Sequence, residues 1–183
     1  MSTSQEDRKT LLRLARESVR AAVSKAALPA PPPAEGILGQ QRGCFVTLTN
    51  RGKLRGCIGT FHPRKPLGEQ VIEMGAAAAK DPRFIYYDPV RPAEVDELTV
   101  QVSVLSELEP IANPLDIELG VHGIYIVRGP AAGCFLPEVA AETGWSKEKF
   151  LSQCCAGKAG MAADAWNDPE TTVYTFTSEK FSD

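Results

Sequence analysis

The chain has 183 residues, of which 43% are apolar and 23% charged, with a formal net charge of -3. That length supports one well-buried domain, or one with a small second lobe, and the charge gives no general pull toward nucleic acid or an anionic membrane. No apolar run approaches the ~20 residues that span a bilayer, and the first residues lack a signal-peptide core, so a cytoplasmic protein without membrane contact is expected.

The five cysteines, Cys44, Cys57, Cys134, Cys154 and Cys155, are an odd set, which argues against a disulfide scaffold. They contain no C-x-x-C, and His62 and His122 lie far apart in sequence. Zinc-type ligand spacing is absent, and no metal or cofactor is expected.

Ser4-Gln5-Glu6-Asp7 has the form of a capping box with Ser4 as N-cap. A helix is predicted from there to about Ala27, with Leu12, Ala15, Val19, Ala22, Val23 and Ala26 as its apolar stripe. Pro29-Ala30-Pro31-Pro32-Pro33 ends it and forms a short, stiff linker. A ligand for proline-binding domains is the sharper alternative.

Residues 44–49 predict a strand, Asn50-Arg51-Gly52-Lys53 a turn, and residues 54–61 a second strand, together a hairpin. The second strand holds Leu54-Arg55-Gly56-Cys57-Ile58-Gly59-Thr60. Strict alternation puts Arg55, Cys57 and Gly59 on one face and Leu54, Gly56, Ile58 and Thr60 on the other. Two glycines inside a strand are tolerated where another backbone or a ligand comes close. An arginine beside a cysteine favours the thiolate.

A helix begins near Leu67, with Leu67, Val71, Met74, Gly75 and Ala78 at helical spacing. Asp81-Pro82 stops it, because the residue before proline avoids the helical region. Residues 83–88 are short, aromatic and irregular, with Tyr86 and Tyr87 read as edge-of-core residues. Residues 98–105 predict a strand with Leu98, Val100, Val102 and Val104 on one face; Thr99, Gln101 and Ser103 face solvent or a polar cleft. Residues 121–127 predict a strand with Gly123 inside it, and 134–136 pair back after a turn. Residues 137–142 and 146–158 predict helices, 164–169 a loop, and 172–177 the last strand. Trp145 and Trp166 are expected to anchor this C-terminal part. Hairpins mixed with helices, without a βαβ rhythm, indicate an α+β fold.

Cys57 carries three readings: a buried small hydrophobe, a reactive thiol supported by Arg55, or the wall of a binding site reached through Gly56 and Gly59. His122 reads either as a satisfied structural histidine or as an imidazole partner for Cys57. Asp81-Pro82-Arg83-Phe84 reads either as a helix stop with its own ion pair, or as a means of placing Arg83 beside Arg55 to hold a carboxylate or phosphate. The helix start at Lys65-Pro66-Leu67 could add backbone donors for such an anion. Arg51, Lys53, Arg55, Arg64 and Lys65 form a basic cluster, but no aromatic residues interleave it, so nucleic acid is not expected.

Taken in order, Leu54-Arg55-Gly56-Cys57-Ile58-Gly59-Thr60 with Phe45-Val46-Thr47-Leu48, Lys65-Pro66-Leu67, Asp81-Pro82-Arg83-Phe84, Val102-Ser103-Val104-Leu105, His122-Gly123-Ile124, Phe135-Leu136-Pro137, Gly144-Trp145, Ala163-Asp164-Ala165-Trp166 and Val173-Tyr174-Thr175-Phe176 resembles the AMMECR family, called protein A of the AmmeMemoRadiSam system in bacteria and archaea. The resemblance runs over about residues 5–180, within residues 1–183 read as a single domain with a Pro-rich linker at 29–33. It implies an α+β fold of antiparallel β-sheet with flanking helices, a larger lobe and a smaller lobe, and a cleft at the strand of residues 54–60. It implies no particular reaction. The system name implies Memo-like and radical S-adenosylmethionine proteins as partners. Residues 154–160 depart from the family pattern, which leaves Cys154 and Cys155 without an implied role.

Two functions follow. The first is a ligand- or partner-binding domain, with Arg55, Gly56, Gly59, Thr60, Asp81 and Arg83 around a small anionic ligand. The second is a cysteine-dependent enzyme or group-transfer protein using Cys57 with Arg55 and His122. The binding function is preferred, since no complete catalytic set is visible.

Overall fold

The computed structural model describes residues 3–183. They divide into two compact units: one runs up to Leu105 and takes back Glu179–Asp183, and the other is Ser106–Ser178.

The first unit begins with helix α1, Gln5–Ser24, whose capping box is complete: the Ser4 hydroxyl accepts from the Asp7 N–H, and the Asp7 carboxylate accepts from the Ser4 N–H. The helix ends before Ala27 because Lys25 turns left-handed at φ 56° and its N–H closes onto the Ala21 carbonyl. Its buried stripe is centred on Leu11, Leu14, Ala15 and Val19, rotated from the predicted one, with Leu12 and Val23 only partly buried. The proline segment is laid against the start of α2 (Leu67–Ala78): a Cβ on Gly68 would lie 2.4 Å from Pro32 Cγ. This docking ties the linker to the fold. The same stretch of chain satisfies the first α2 donors, with Leu67 N–H bonding the Gln40 carbonyl and Gly68 N–H the Leu38 carbonyl, so these donors are not available to a ligand.

Strands β1 (Cys44–Asn50) and β2 (Lys53–Thr60) form an antiparallel hairpin. Its two turn residues, Arg51 and Gly52, both have positive φ, 49° and 78°, the conformation that matches strand twist in a two-residue hairpin. With β3 (Thr99–Leu105) and β8 (Ser178–Ser182) they make a sheet in the order β2-β1-β3-β8. One face of this sheet, Cys44, Val46, Leu48, Val100 and Val102, is buried against α1 and α2. The apolar face of β3 is the predicted one. Ser103, expected to face solvent or a cleft, is buried. Strand β8 had no sequence signal, since its alternating Ser178-Glu179-Lys180-Phe181-Ser182 offers one apolar residue.

The second unit holds β4 (Glu109–Pro110), β5 (Gly123–Arg128), β6 (Ala131–Phe135) and β7 (Thr172–Phe176), in the order β4-β7-β5-β6, all neighbours antiparallel. Helices α3 (Pro137–Thr143) and α4 (Lys147–Gly157) complete it. Ile124, Ile126, Phe135, Phe150, Leu151, Cys154, Cys155 and Val173 form its core. Trp145 packs on Phe135 at 6.0 Å between ring centroids, and Trp166 Nε1 donates to Ser152 Oγ at 3.0 Å; both tryptophans anchor this unit. The whole is α+β, with two antiparallel sheets, flanking helices, and a larger and a smaller unit. Among the described residues no helix is long and apolar enough to cross a membrane.

Candidate functional site

The site is built on β2, and its geometry turns on one irregularity. Counted from the tight turn, Asn50 pairs with Lys53 and Thr49 with Leu54. An unbroken hairpin would continue with Thr47 opposite Gly56 and Val46 opposite Cys57. Instead the register shifts: Leu48 pairs with Gly56 and Thr47 with Cys57, so Arg55 has no partner on β1. This is a β-bulge of one residue. A one-residue shift exchanges the faces of everything beyond it. Without the bulge Cys57 would join Val46 on the buried face. With it, Cys57 joins Thr47 on the other face, half-buried, with its sulfur 3.1 Å from the Thr47 hydroxyl.

The bulged Arg55 does not stand beside Cys57. It is 8% exposed, and its guanidinium donates to Asp88 at 2.6 Å, to Glu94 at 2.9 Å and to the Pro89 carbonyl at 3.2 Å. These bonds raise it above its ordinary arginine value, Glu94 first and then Asp88, against the opposing effect of burial. An open pocket of about 430 Å³ lies over it, lined also by Arg51, Lys53, Arg91 and Glu97. Arg55 therefore ties the bulge to the segments that follow α2, and two carboxylates neutralise it.

Arg83 takes the place expected for Arg55. Asp81, 2% exposed, receives four hydrogen bonds: Arg83 Nε at 3.0 Å and Nη2 at 2.6 Å, the Arg83 backbone N–H at 3.0 Å, and the Cys57 N–H at 2.9 Å. Arg83 Nη2 also reaches the Cys57 carbonyl at 3.3 Å. Strand β2 is the edge of its sheet, and edge strands leave backbone donors and acceptors open. The Asp81–Arg83 pair closes that edge at Cys57. Burial acts to raise the Asp81 carboxyl, but the bonds from Arg83 and the Cys57 N–H outweigh it and hold it down at about 2. Arg83 is pushed above its ordinary value, first by the bond to Asp81 and then, against the opposing effect of burial, by the Asp81 charge. Its side chain stays 54% exposed.

The remaining predicted residues take separate places. A Cβ on Gly56 would lie 2.0 Å from the Ala78 carbonyl oxygen, so the close approach there is made by the end of α2. A Cβ on Gly59 would lie 2.3 Å from the Phe45 ring. The Thr60 hydroxyl accepts the His62 N–H at 3.1 Å. His122 belongs to the second unit, before β5 begins, where its Nδ1 accepts the Glu118 N–H at 3.0 Å. In the basic cluster, Lys65 is paired with Glu69 and Glu73, and Arg51 with Glu97.

Tyr86 and Tyr87 are a correction: they are not at the edge of the core but 89% and 75% exposed. Thr47 and Tyr87, both close to the Cys57–Arg83 group, had no individual signal in the sequence. Thr47 could have been found only by anticipating the bulge. Cys134 is half-buried like Cys57, whereas Cys44, Cys154 and Cys155 are buried. Burial pushes Cys44 up to about 12 and raises Cys154 and Cys155 as well, which keeps them as thiols. Among the described residues no group of three or more His, Cys, Asp or Glu side chains is arranged to hold a metal.

The chain matches the family described as AMMECR1 over residues 12–181. A protein of Methanothermobacter thermautotrophicus is 42% identical over 186 residues, covering 97% of this chain and 95% of that protein. One from Thermococcus gammatolerans is 44% identical over 188 residues, covering 94% of this chain and 88% of that protein. The crystal structure of protein PH0010 from Pyrococcus horikoshii, described as uncharacterized, superposes with a TM-score of 0.85 at 38% identity, covering 94% of this chain and 89% of that one.

Proposed function

We propose, starting from the fact that this chain belongs to the AMMECR1 family, that its first unit binds a small anionic ligand, received by Arg83 where that side chain crosses β2 at Cys57. The observation that carries this is the state of the Arg83 guanidinium. Nε and Nη2 are fixed on Asp81, while Nη1 makes no hydrogen bond among the described residues. A cation held in one orientation loses little freedom when it binds. The oxygens of Asp81 are already taken by four donors, which leaves them turned inward. The Cys57 thiol and Thr47 hydroxyl, bonded to each other at 3.1 Å, keep one donor hydrogen between them for a ligand, and the strand of residues 54–60 forms the wall.

Titration calorimetry with inorganic phosphate tests this. Arg83→Gln should lose binding, Arg83→Lys should retain part of it, and Cys57→Ser should keep it. Phosphate affinity unchanged in Arg83→Gln would sink the proposal. On the resemblance alone, the ligand-bound form acts in the cytosol with Memo-like and radical S-adenosylmethionine proteins.

A second reading, cysteine chemistry, is favoured by one observation: the Cys57 thiol is half-buried and bonded to a hydroxyl, whereas Cys44 is sealed in the core. Against it, Arg55 is held by Asp88 and Glu94, and the His122 Nδ1 is held by Glu118. A pH series of thiol labelling decides: a Cys57 that labels slowly, with an ordinary midpoint, removes the nucleophile.

A further inference from the structure

The segment that carries Arg83 is exposed from Pro82 to Pro89 apart from the half-buried Phe84, with Ile85 36%, Tyr86 89% and Tyr87 75% exposed. It is nonetheless a built turn. The Asp81 carbonyl accepts the N–H groups of Phe84 and Ile85, and the Phe84 carbonyl accepts those of Tyr87 and Asp88. One end is fixed by Asp81 and Arg83 on Cys57, the other by Asp88 on the buried Arg55. The bonds that shape this turn are backbone bonds and the two ion pairs. The rings of Tyr86 and Tyr87 add nothing to the core, so two adjacent tyrosines are presented to solvent on a segment that cannot readily fold them away. A held cation and flat aromatic rings thus sit on one fixed turn.

We propose that the ligand received at Arg83 is a nucleotide, whose phosphate meets the guanidinium and whose base stacks on the ring of Tyr87 or Tyr86. This deepens the anion-binding function above and rests on it. Stacking of a base on an aromatic side chain is tolerant of the base's identity and adds to affinity independently of the phosphate contact. A bare anion uses only the Arg83 part of the site; a nucleotide uses both. Arg55 and Asp88 then act as positioning residues, holding the far end of the turn.

The test is titration calorimetry on the full chain with adenosine 5′-monophosphate, adenosine and inorganic phosphate, for the parent protein, the Tyr86→Ala/Tyr87→Ala double variant and Arg83→Gln. Both tyrosines are exposed, so the double variant should melt with the parent, which circular dichroism checks. The monophosphate should bind about tenfold or more tighter than phosphate, in line with the usual worth of one stacked base. The double variant should bind the two alike, with phosphate affinity unchanged, while Arg83→Gln should weaken both. Equal affinity for the two in the parent, or a preference for the monophosphate that survives loss of both tyrosines, overturns the nucleotide and leaves the anion site standing. No binding of phosphate or the monophosphate overturns both.

Discussion

Two arginines meet at β2, Arg55 from the strand itself and Arg83 from the segment after α2, and they do opposite things. At the bulge, Arg55 is 8% exposed and shared between Asp88 and Glu94. At Cys57, Arg83 is 54% exposed and has Asp81 as its one carboxylate, with the Cys57 carbonyl and the Phe84 ring beside it. A buried cation must be paired, and two carboxylates and a carbonyl hold both terminal nitrogens of Arg55 within the protein, while its Nε is buried without a hydrogen bond. A half-exposed cation with one carboxylate is oriented and still has a nitrogen to offer. The number of partners and the depth of burial, not the residue type, separate a structural arginine from a receiving one.

The largest test of that contrast is Arg55→Ala. It leaves Asp88 and Glu94 facing each other without their cation and should lower unfolding stability by about 3 kcal/mol, at the low end for a broken buried pair because Asp88 is half exposed. Hydrogen exchange at residues 84–90 should rise with it. A loss below about 1 kcal/mol, the range of surface pairs, would place Arg55 with the exposed arginines.

Acid titration asks the next question, about Asp81. Its carboxyl is held at about 2 against a reference of 3.8. A depressed carboxyl contributes stability that is complete above about pH 4 and is lost as pH falls toward 2. That shift amounts to about 2 kcal/mol. Denaturant unfolding of the parent and Asp81→Asn should therefore differ at pH 6 and converge near pH 2. A gap that stays constant down to pH 2 would show that the Asp81 charge is not what holds β2 at Cys57.

Arg83→Gln should cost less than either, about 1–2 kcal/mol, because its own side chain is half in water while the buried Asp81 carboxylate keeps its two backbone donors, and it should remove phosphate affinity. If its stability loss equals that of Arg55→Ala, the contrast between the two arginines collapses. Limited maleimide labelling of the native protein, read by peptide mass spectrometry, completes the series with no stability change at all. Cys57 should be modified ahead of Cys44, whose thiol burial pushes up to about 12; the reverse order would contradict the bulged register.

Much of the fold was legible because its signals are local. The capping box at Ser4 and Asp7, the two-residue turn at Arg51 and Gly52, the helix stop at Asp81-Pro82 and the alternating apolar face of β3 each depend on residues a few positions apart. β4 and β8 were not legible, being short and polar and formed only because a neighbouring strand offers its edge. The exposure of Tyr86 and Tyr87 was not legible either: aromatic residues next to a helix stop look like core until the turn is known to be held by its backbone.

The candidate site divides in the same way. By itself the sequence determined that residues 54–60 are a strand, that Asp81 and Arg83 follow a helix end, and that Cys57 lies close to a cation. Which cation it is, and which face the thiol takes, only the tertiary structure decided. Asp88 and Glu94, 33 and 39 residues beyond Arg55, hold its guanidinium at the bulge. That one unpaired residue turns Cys57 from the core to the Thr47 side, where Arg83 meets it. A strand's alternation is a local property, but the point at which it breaks is set by what the extra side chain can pair with across the fold.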